Sequence, residues 1–186
     1  MIYTIIGGVN GAGKSSLTGV LKEYINDLGV IVDPDKITAQ HGGNAMEGGK
    51  AAVSKLRECL ANRIDFTEES TLAGGFACRM AREARAAGYT VRLYYVGLDS
   101  AEESVQRIEN RVAHGGHNIP TADVQRRFSR RFADLSKLLP LCNEASFYDN
   151  NNGFRLVAVY RNGEIVPTGT YRPKWLCSMM EELPHN

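Results

Sequence analysis

The stretch Ile2-Tyr3-Thr4-Ile5-Ile6-Gly7-Gly8-Val9-Asn10-Gly11-Ala12-Gly13-Lys14-Ser15-Ser16-Leu17 decides the fold. Met1–Val9 is β-branched and aromatic and runs straight into glycines, the pattern of a buried strand entering a tight turn. From Lys14 the period changes. Leu17, Val20, Leu21, Tyr24, Ile25 and Leu28 fall on one helical face, and Gly29 closes the run.

Between strand and helix, Gly8–Ser15 fits G-x-x-x-x-G-K-[ST]. Gly11 and Gly13 let the backbone approach phosphate oxygens with no Cβ in the way. The amides of such a turn form an anion nest, and the helix behind it adds its positive end. Lys14 is placed to reach the β- and γ-phosphates, and Ser15 to put a hydroxyl on Mg²⁺. The expected nucleotide contacts are Gly8, Val9, Asn10, Gly11, Ala12, Gly13, Lys14, Ser15 and Ser16, with Ser15 as the metal ligand. A chance glycine-rich turn before an ordinary helix is the competing reading, and the flanking strand and helix count against it.

Outward from this loop, strand and helix patterns alternate. Val30–Asp33 reads as a strand stopped by Pro34, His41–Gly49 as a loop, Ala51–Asn62 as a helix and Ile64–Thr67 as a third strand. Gly74–Ala87 reads as a helix and Tyr89–Val96 as a fourth strand. Asp99 or Ser100 caps a helix running to about Ala113. A basic helix runs from Pro120 to about Leu139, and Ser146–Tyr148 is a fifth strand. Leu156–Tyr160 and Glu164–Val166 flank Asn162-Gly163, a hairpin signal. A short helix is expected in the tail around Trp175. The alternation predicts an α/β, P-loop NTPase three-layer fold: a mainly parallel sheet, helices on both faces and a C-terminal β-hairpin. One domain is expected over residues 1–186, with its core in 1–152 and the hairpin and tail in 153–186.

Composition excludes several classes. Twenty-two Lys and Arg against 21 Asp and Glu give a net charge of +1, so no basic excess calls for nucleic acid. Cys59, Cys78, Cys142 and Cys177 are scattered, which argues against a zinc site or disulfide framework and fits a reducing cytoplasm. No run has the length of a membrane span.

The strand ends supply the chemistry. In a parallel sheet the C-terminal ends of the strands converge on one crevice, so Asp33 and Asp35 are expected near the phosphates. A carboxylate there can orient an acceptor hydroxyl and take its proton. Glu68 and Glu69 end the third strand and alternate faces; Glu69 and Thr71 share one. These two are expected either to grip a hydroxylated substrate or to hold magnesium-bound water. Arg107 and Arg111 share a helix face and can answer charge on a transferring phosphoryl group. Arg126, Arg127, Arg130 and Arg131 read more simply as a solvated face. His117, in Gly115-Gly116-His117, is a further candidate phosphate contact.

Taken together, Gly7–Ser16, Val32-Asp33-Pro34-Asp35, Phe66–Gly74, Ala87-Gly88-Tyr89, Arg107–Pro120 and Phe147-Tyr148-Asp149-Asn150 resemble the zeta-toxin-like P-loop kinases, over roughly residues 1–152. The resemblance implies ATP and Mg²⁺ as cofactors and phosphorylation of UDP-N-acetylglucosamine or a related sugar nucleotide at a hydroxyl. It implies a small antitoxin as partner. It also implies Lys14, Asp35 and Arg107 as catalytic residues, with Asp35 the base. Glu69 and Thr71 match positions that grip the acceptor, and His117 or Arg111 stands in for a later arginine of the toxins as a phosphate contact; Asp33, from its place after the second strand, is also expected on the acceptor. Ala73 stands where the toxins carry an arginine. A nucleotide-binding regulatory module with little transferase activity, and a kinase acting on RNA through the Arg126–Arg131 face, are the alternatives.

Overall fold

The structure is a computed structural model and describes residues 1–116 and 118–183. Strand β1 (Ile2–Gly7) is central, paired in parallel with β3 (Phe66–Ser70) on one side and β4 (Thr90–Gly97) on the other. β2 (Val30–Val32) pairs with β3, and β5 (Glu144–Asp149) with β4, all parallel. β6 (Arg155–Arg161) and β7 (Glu164–Pro167) extend the same sheet antiparallel, giving the order β2-β3-β1-β4-β5-β6-β7. Asn162 and Gly163 both adopt positive φ, as the Asn-Gly hairpin requires.

Two-residue alternation splits the core into two layers. Tyr3 and Ile5 of β1 and Val91, Leu93 and Tyr95 of β4 face one side. They pack there against helices α3 (Ala45–Ala61), α4 (Phe76–Ala86), α6 (Thr121–Leu138) and α7 (Lys174–Glu182). Ile6, Tyr94 and Val96 face the other side, against Leu17 and Leu21 of α1 (Lys14–Tyr24). Helices therefore cover both faces, as the sequence pattern predicts. No helix among the described residues is long and apolar enough to cross a membrane. Cys59, Cys78 and Cys142 are buried and Cys177 is exposed; all are free thiols.

Several element boundaries differ from the sequence reading. α1 stops at Tyr24, where Ile25 turns extended, so it does not reach Leu28; Val20 and Tyr24 are exposed rather than buried. Pro34 ends β2 but also opens a helix, α2 (Pro34–Gln40), because Asp33 caps it. The expected loop to Gly49 is cut short by α3, whose N-cap Asn44 accepts from the amides of Met46 and Glu47. Gly48 lies inside that helix because α2 packs there; an added Cβ would sit 2.2 Å from Thr38 Oγ1. Gly74 and Gly75 are left-handed and precede α4, in a short 3₁₀ turn, so the helix begins only at Phe76. β3 starts later than expected, and exposed Ile64 lies outside it. The strand instead runs through Glu68 and Glu69 because both pair in the β1 ladder. Ser100, not Asp99, caps α5 (Ala101–Ala113).

Candidate active site

A cavity of about 420 Å³ opens at the C-terminal ends of β1, β2 and β3. This is a size suited to a small-molecule ligand. It is lined from the loop by Asn10, Gly11, Gly13, Lys14, Ser15 and Ser16, from the start of α2 by Asp33 and Asp35, and from β3 and the turn after it by Glu68, Glu69 and Thr71. Arg107, Arg111 and Arg127 line it from the helices. All site residues named from sequence face this cleft except four. Gly8 is turned under the loop, its amide donating to Ser70 O at 3.2 Å. Val9 and Ala12 bury their side chains in the core below, so only their backbone belongs to the loop. His117 lies outside the described residues.

The loop is pinned from several elements. Ser104 of α5 donates its hydroxyl to Asn10 O, and Arg127 of α6 donates Nη1 to Asn10 Oδ1 at 3.1 Å. Asn150, just past β5, donates Nδ2 to Ala12 O at 3.0 Å. Gly13 holds φ +101°, and an added Cβ would fall 2.3 Å from Asn150 Nδ2. Both conformation and space demand glycine there. Lys14 folds back on the loop, donating Nζ to Gly8 O at 3.0 Å and Val9 O at 3.1 Å. Burial lowers its pKa, while Glu69, Asp35 and Asp33 pull the other way.

The acids divide by role. Asp33 is nearly buried and already engaged: Oδ1 accepts from the amides of Asp35 and Lys36, and Oδ2 pairs with Lys36 Nζ at 3.4 Å. Asp35 opens into solvent, with Oδ2 3.7 Å from Arg111 Nη1. Glu69 lies on the α1 face of β3, where it accepts from Ser15 Oγ at 2.7 Å and Thr18 Oγ1 at 2.6 Å. Glu68 turns to the opposite face, accepts a hydrogen bond from the Tyr3 hydroxyl, and is 4% exposed. Burial pushes its carboxyl up to about 7, against hydrogen bonds from Tyr3 and Ser70. Thr71 is presented by a tight turn in which buried Leu72 takes a left-handed conformation (φ 64°). Thr71 precedes a residue that few side chains tolerate there.

Ser15 and Glu69 together form an oxygen-only donor pair, the hard ligands that Mg²⁺ prefers. Among the described residues no group of three or more His, Cys, Asp or Glu could hold a metal unaided. Mg²⁺ with one or two protein oxygens and the rest from phosphate and water needs none.

The cations come from other elements. Arg107 Nη2 donates to Glu103 Oε1 at 2.6 Å and to Asn150 O at 3.0 Å, which fixes its guanidinium beside the loop. Nothing in the sequence singles out Arg127 from its neighbours Arg126, Arg130 and Arg131. Helical spacing turns Arg126 and Arg130 outward, with exposed side chains paired to Asp123 and Asp134. Glu68 was equally hidden, since alternation assigns only one of two adjacent glutamates to a given face.

The chain belongs to the zeta toxin family, whose model matches residues 2–156. An uncharacterized protein of Haemophilus influenzae is 29% identical over 126 residues, which span 65% of this chain and 88% of that protein. Among solved structures, one from the PezAT chromosomal toxin-antitoxin system of Streptococcus pneumoniae superposes with a TM-score of 0.66 at 18% identity, covering 98% of this chain and 77% of that one. The AvrRxo1-ORF1:-ORF2 structure with ATP gives 0.70 at 14% identity, covering 98% and 63%. A kinase-like structure from Chloroflexus aurantiacus gives 0.53 at 20% identity, covering 69% and 78%. At these identities the structures establish a shared fold.

Proposed function

We propose that this chain is an ATP-dependent kinase that transfers the γ-phosphate to a hydroxyl of a small molecule. The observation that carries the reading is the convergence of two sets of groups on one cleft. The Gly8–Ser15 loop with Arg107, Arg111 and Arg127 supplies cations and amides, with Glu69 beside Ser15; the first turn of α2 and the turn after β3 supply Asp35 and Thr71. A triphosphate matches the first set, and a hydroxylated acceptor the second.

Bound Mg·ATP supplies the phosphoryl group and metal charge on its oxygens. The chain's own residues do the rest. The loop amides hold the phosphates, and Lys14 leaves its carbonyl contacts to meet them. Ser15 and Glu69 provide the protein oxygens beside the metal. Asp35, exposed and within ion-pair reach of Arg111, receives the proton of the acceptor hydroxyl, which then attacks the γ-phosphorus as the bond to the β-phosphate oxygen breaks. Arg107 is held ready for the charge that develops on the equatorial oxygens. Asp33 acts by capping α2 and so placing Asp35.

A sugar nucleotide such as UDP-N-acetylglucosamine, the acceptor the family resemblance suggests, would offer a hydroxyl to Asp35 and Thr71. Ala73 leaves that acceptor one arginine short of the toxin pattern. The family suggests a small antitoxin as partner, and the continuous sheet suggests one domain over the whole chain. The test is Asp35→Asn. Calorimetry should find its ATP affinity close to wild type, while transfer to acceptor falls by roughly 10²–10⁴-fold. A variant that transfers phosphate at the normal rate would remove Asp35 from the mechanism.

A further inference from the structure

The family match ends at residue 156, yet the segment beyond it packs back against the C-terminal ends of β4 and β5. Trp175, in the first turn of α7, is 1% exposed. Its indole occupies the space beside Gly97 at the end of β4, where an added Cβ would lie 2.1 Å from Trp175 Cδ2. The Trp175 amide donates to Asp99 Oδ1 at 2.9 Å, and its indole Nε1–H donates to Asp149 Oδ1 at 2.9 Å. The Tyr171 hydroxyl donates to Asp149 Oδ2 at 3.2 Å, and the Asn151 amide to the same oxygen at 3.3 Å. Asp149 is 4% exposed, so these neutral donors hold a buried carboxylate, and losing one leaves charge poorly compensated.

The next residue, Asn150, braces the loop that lines the site. It contacts the loop through Ala12 O, and its own carbonyl accepts from Arg107 at 3.0 Å. β4 repeats the arrangement: Gly8 packs against Val96 O, where an added Cβ would fall 2.5 Å away, and Gly97 packs against Trp175. On two adjacent strands, then, one residue touches the phosphate loop and its chain neighbour touches the tail.

We propose that Tyr171 and Trp175 are positioning residues for the phosphate loop: through Asp149 they set Asn150, and with it the Ala12 carbonyl and the Arg107 guanidinium, in the geometry that receives the triphosphate. This gives a function to a segment outside the family match, and it rests on the proposed nucleotide site. A role in stability alone would leave nucleotide affinity untouched, so affinity is the readout. Tyr171→Phe removes one oxygen and keeps the ring over which Arg155 lies at 4.5 Å.

The expected result is a rise of about fivefold in the Kd for Mg·ATP by calorimetry, the scale of one ordinary net hydrogen bond. Asn150→Ala should weaken ATP as well, and the double variant should bind no worse than Asn150→Ala alone, since both act through one path. Trp175→Phe, which keeps most of the packing and loses Nε1–H, should follow the same pattern. The chain has a single tryptophan, so its emission should also change on saturation with Mg·ATP. An unchanged Kd in Tyr171→Phe, or losses that multiply in the double variant, overturns the positioning role while leaving the nucleotide site intact. A wild-type protein that fails to bind Mg·ATP overturns both.

Discussion

Glu68→Gln should stabilise the protein at alkaline pH and flatten its response to pH. Glu68 is a buried carboxylate whose pKa rises from 4.5 to about 7, chiefly through burial, although Tyr3 and Ser70 donate to it. The Tyr3 hydroxyl is itself pushed up by burial and stays protonated, so it remains a donor. A carboxyl whose folded pKa is raised binds its proton more tightly folded than unfolded. Its contribution is therefore fully present below about pH 4.5 and is lost as pH rises through about 7. The rise corresponds to roughly 3 kcal/mol of stability at stake across that window. For a chain of this length that is about 6–12 °C in Tm. Glutamine keeps an oxygen for Tyr3 and carries no charge to desolvate. Urea denaturation of both proteins from pH 5 to 8.5 is the assay. The curves should nearly meet at pH 5, and the variant should be the more stable at pH 8.5. Parallel curves would mean that Glu68 stays ionised in the fold, and the reasoning from its burial would be wrong.

Other perturbations test the site and its frame. Gly13→Ala forces a Cβ to 2.3 Å from Asn150 Nδ2 at φ +101° and should abolish measurable ATP binding in calorimetry; near-normal affinity would contradict the loop geometry. Arg127→Ala should raise the ATP Kd about tenfold, near 1.4 kcal/mol, whereas Arg126→Ala, one residue away and turned outward, should leave it unchanged; equal effects would remove Arg127 from the site. Gly97→Ala collides with the Trp175 ring at 2.1 Å and should cost about 3 kcal/mol or more, seen as a lower urea midpoint with red-shifted tryptophan emission. A stable Gly97→Ala protein with unshifted emission would show that the indole does not seat there.

The sheet and its phosphate loop were legible because their signals are local. A β-branched run entering Gly8–Ser15, and the alternation of strands with helices, need no knowledge of distant partners. Boundaries failed where tertiary contacts intervene. Gly48 reads as a helix breaker, yet Thr38 of α2 packs against it and a helix runs through. The same holds in the site. Lys14 is identifiable by motif, Asp35 by its position after a strand and Arg107 by the helix face it shares with Arg111, and all three line the cleft. Arg127 and Glu68 carried no such mark, because a run of arginines and a pair of glutamates do not reveal which member faces inward. The tie from Trp175 to Asp149 spans 26 residues, and no periodicity encodes it.

Phosphoryl transfer from ATP at this cleft can be tested without a prior choice of acceptor. Wild-type protein and Asp35→Asn are each incubated with Mg²⁺, γ-labelled ATP and a metabolite extract supplemented with UDP-sugars, and the products are resolved by mass. Wild type should move label onto a hydroxyl-bearing small molecule, Asp35→Asn should not, and both should bind ATP alike. Tight ATP binding by the wild type with no labelled acceptor would contradict phosphoryl transfer and leave a nucleotide-binding module in its place.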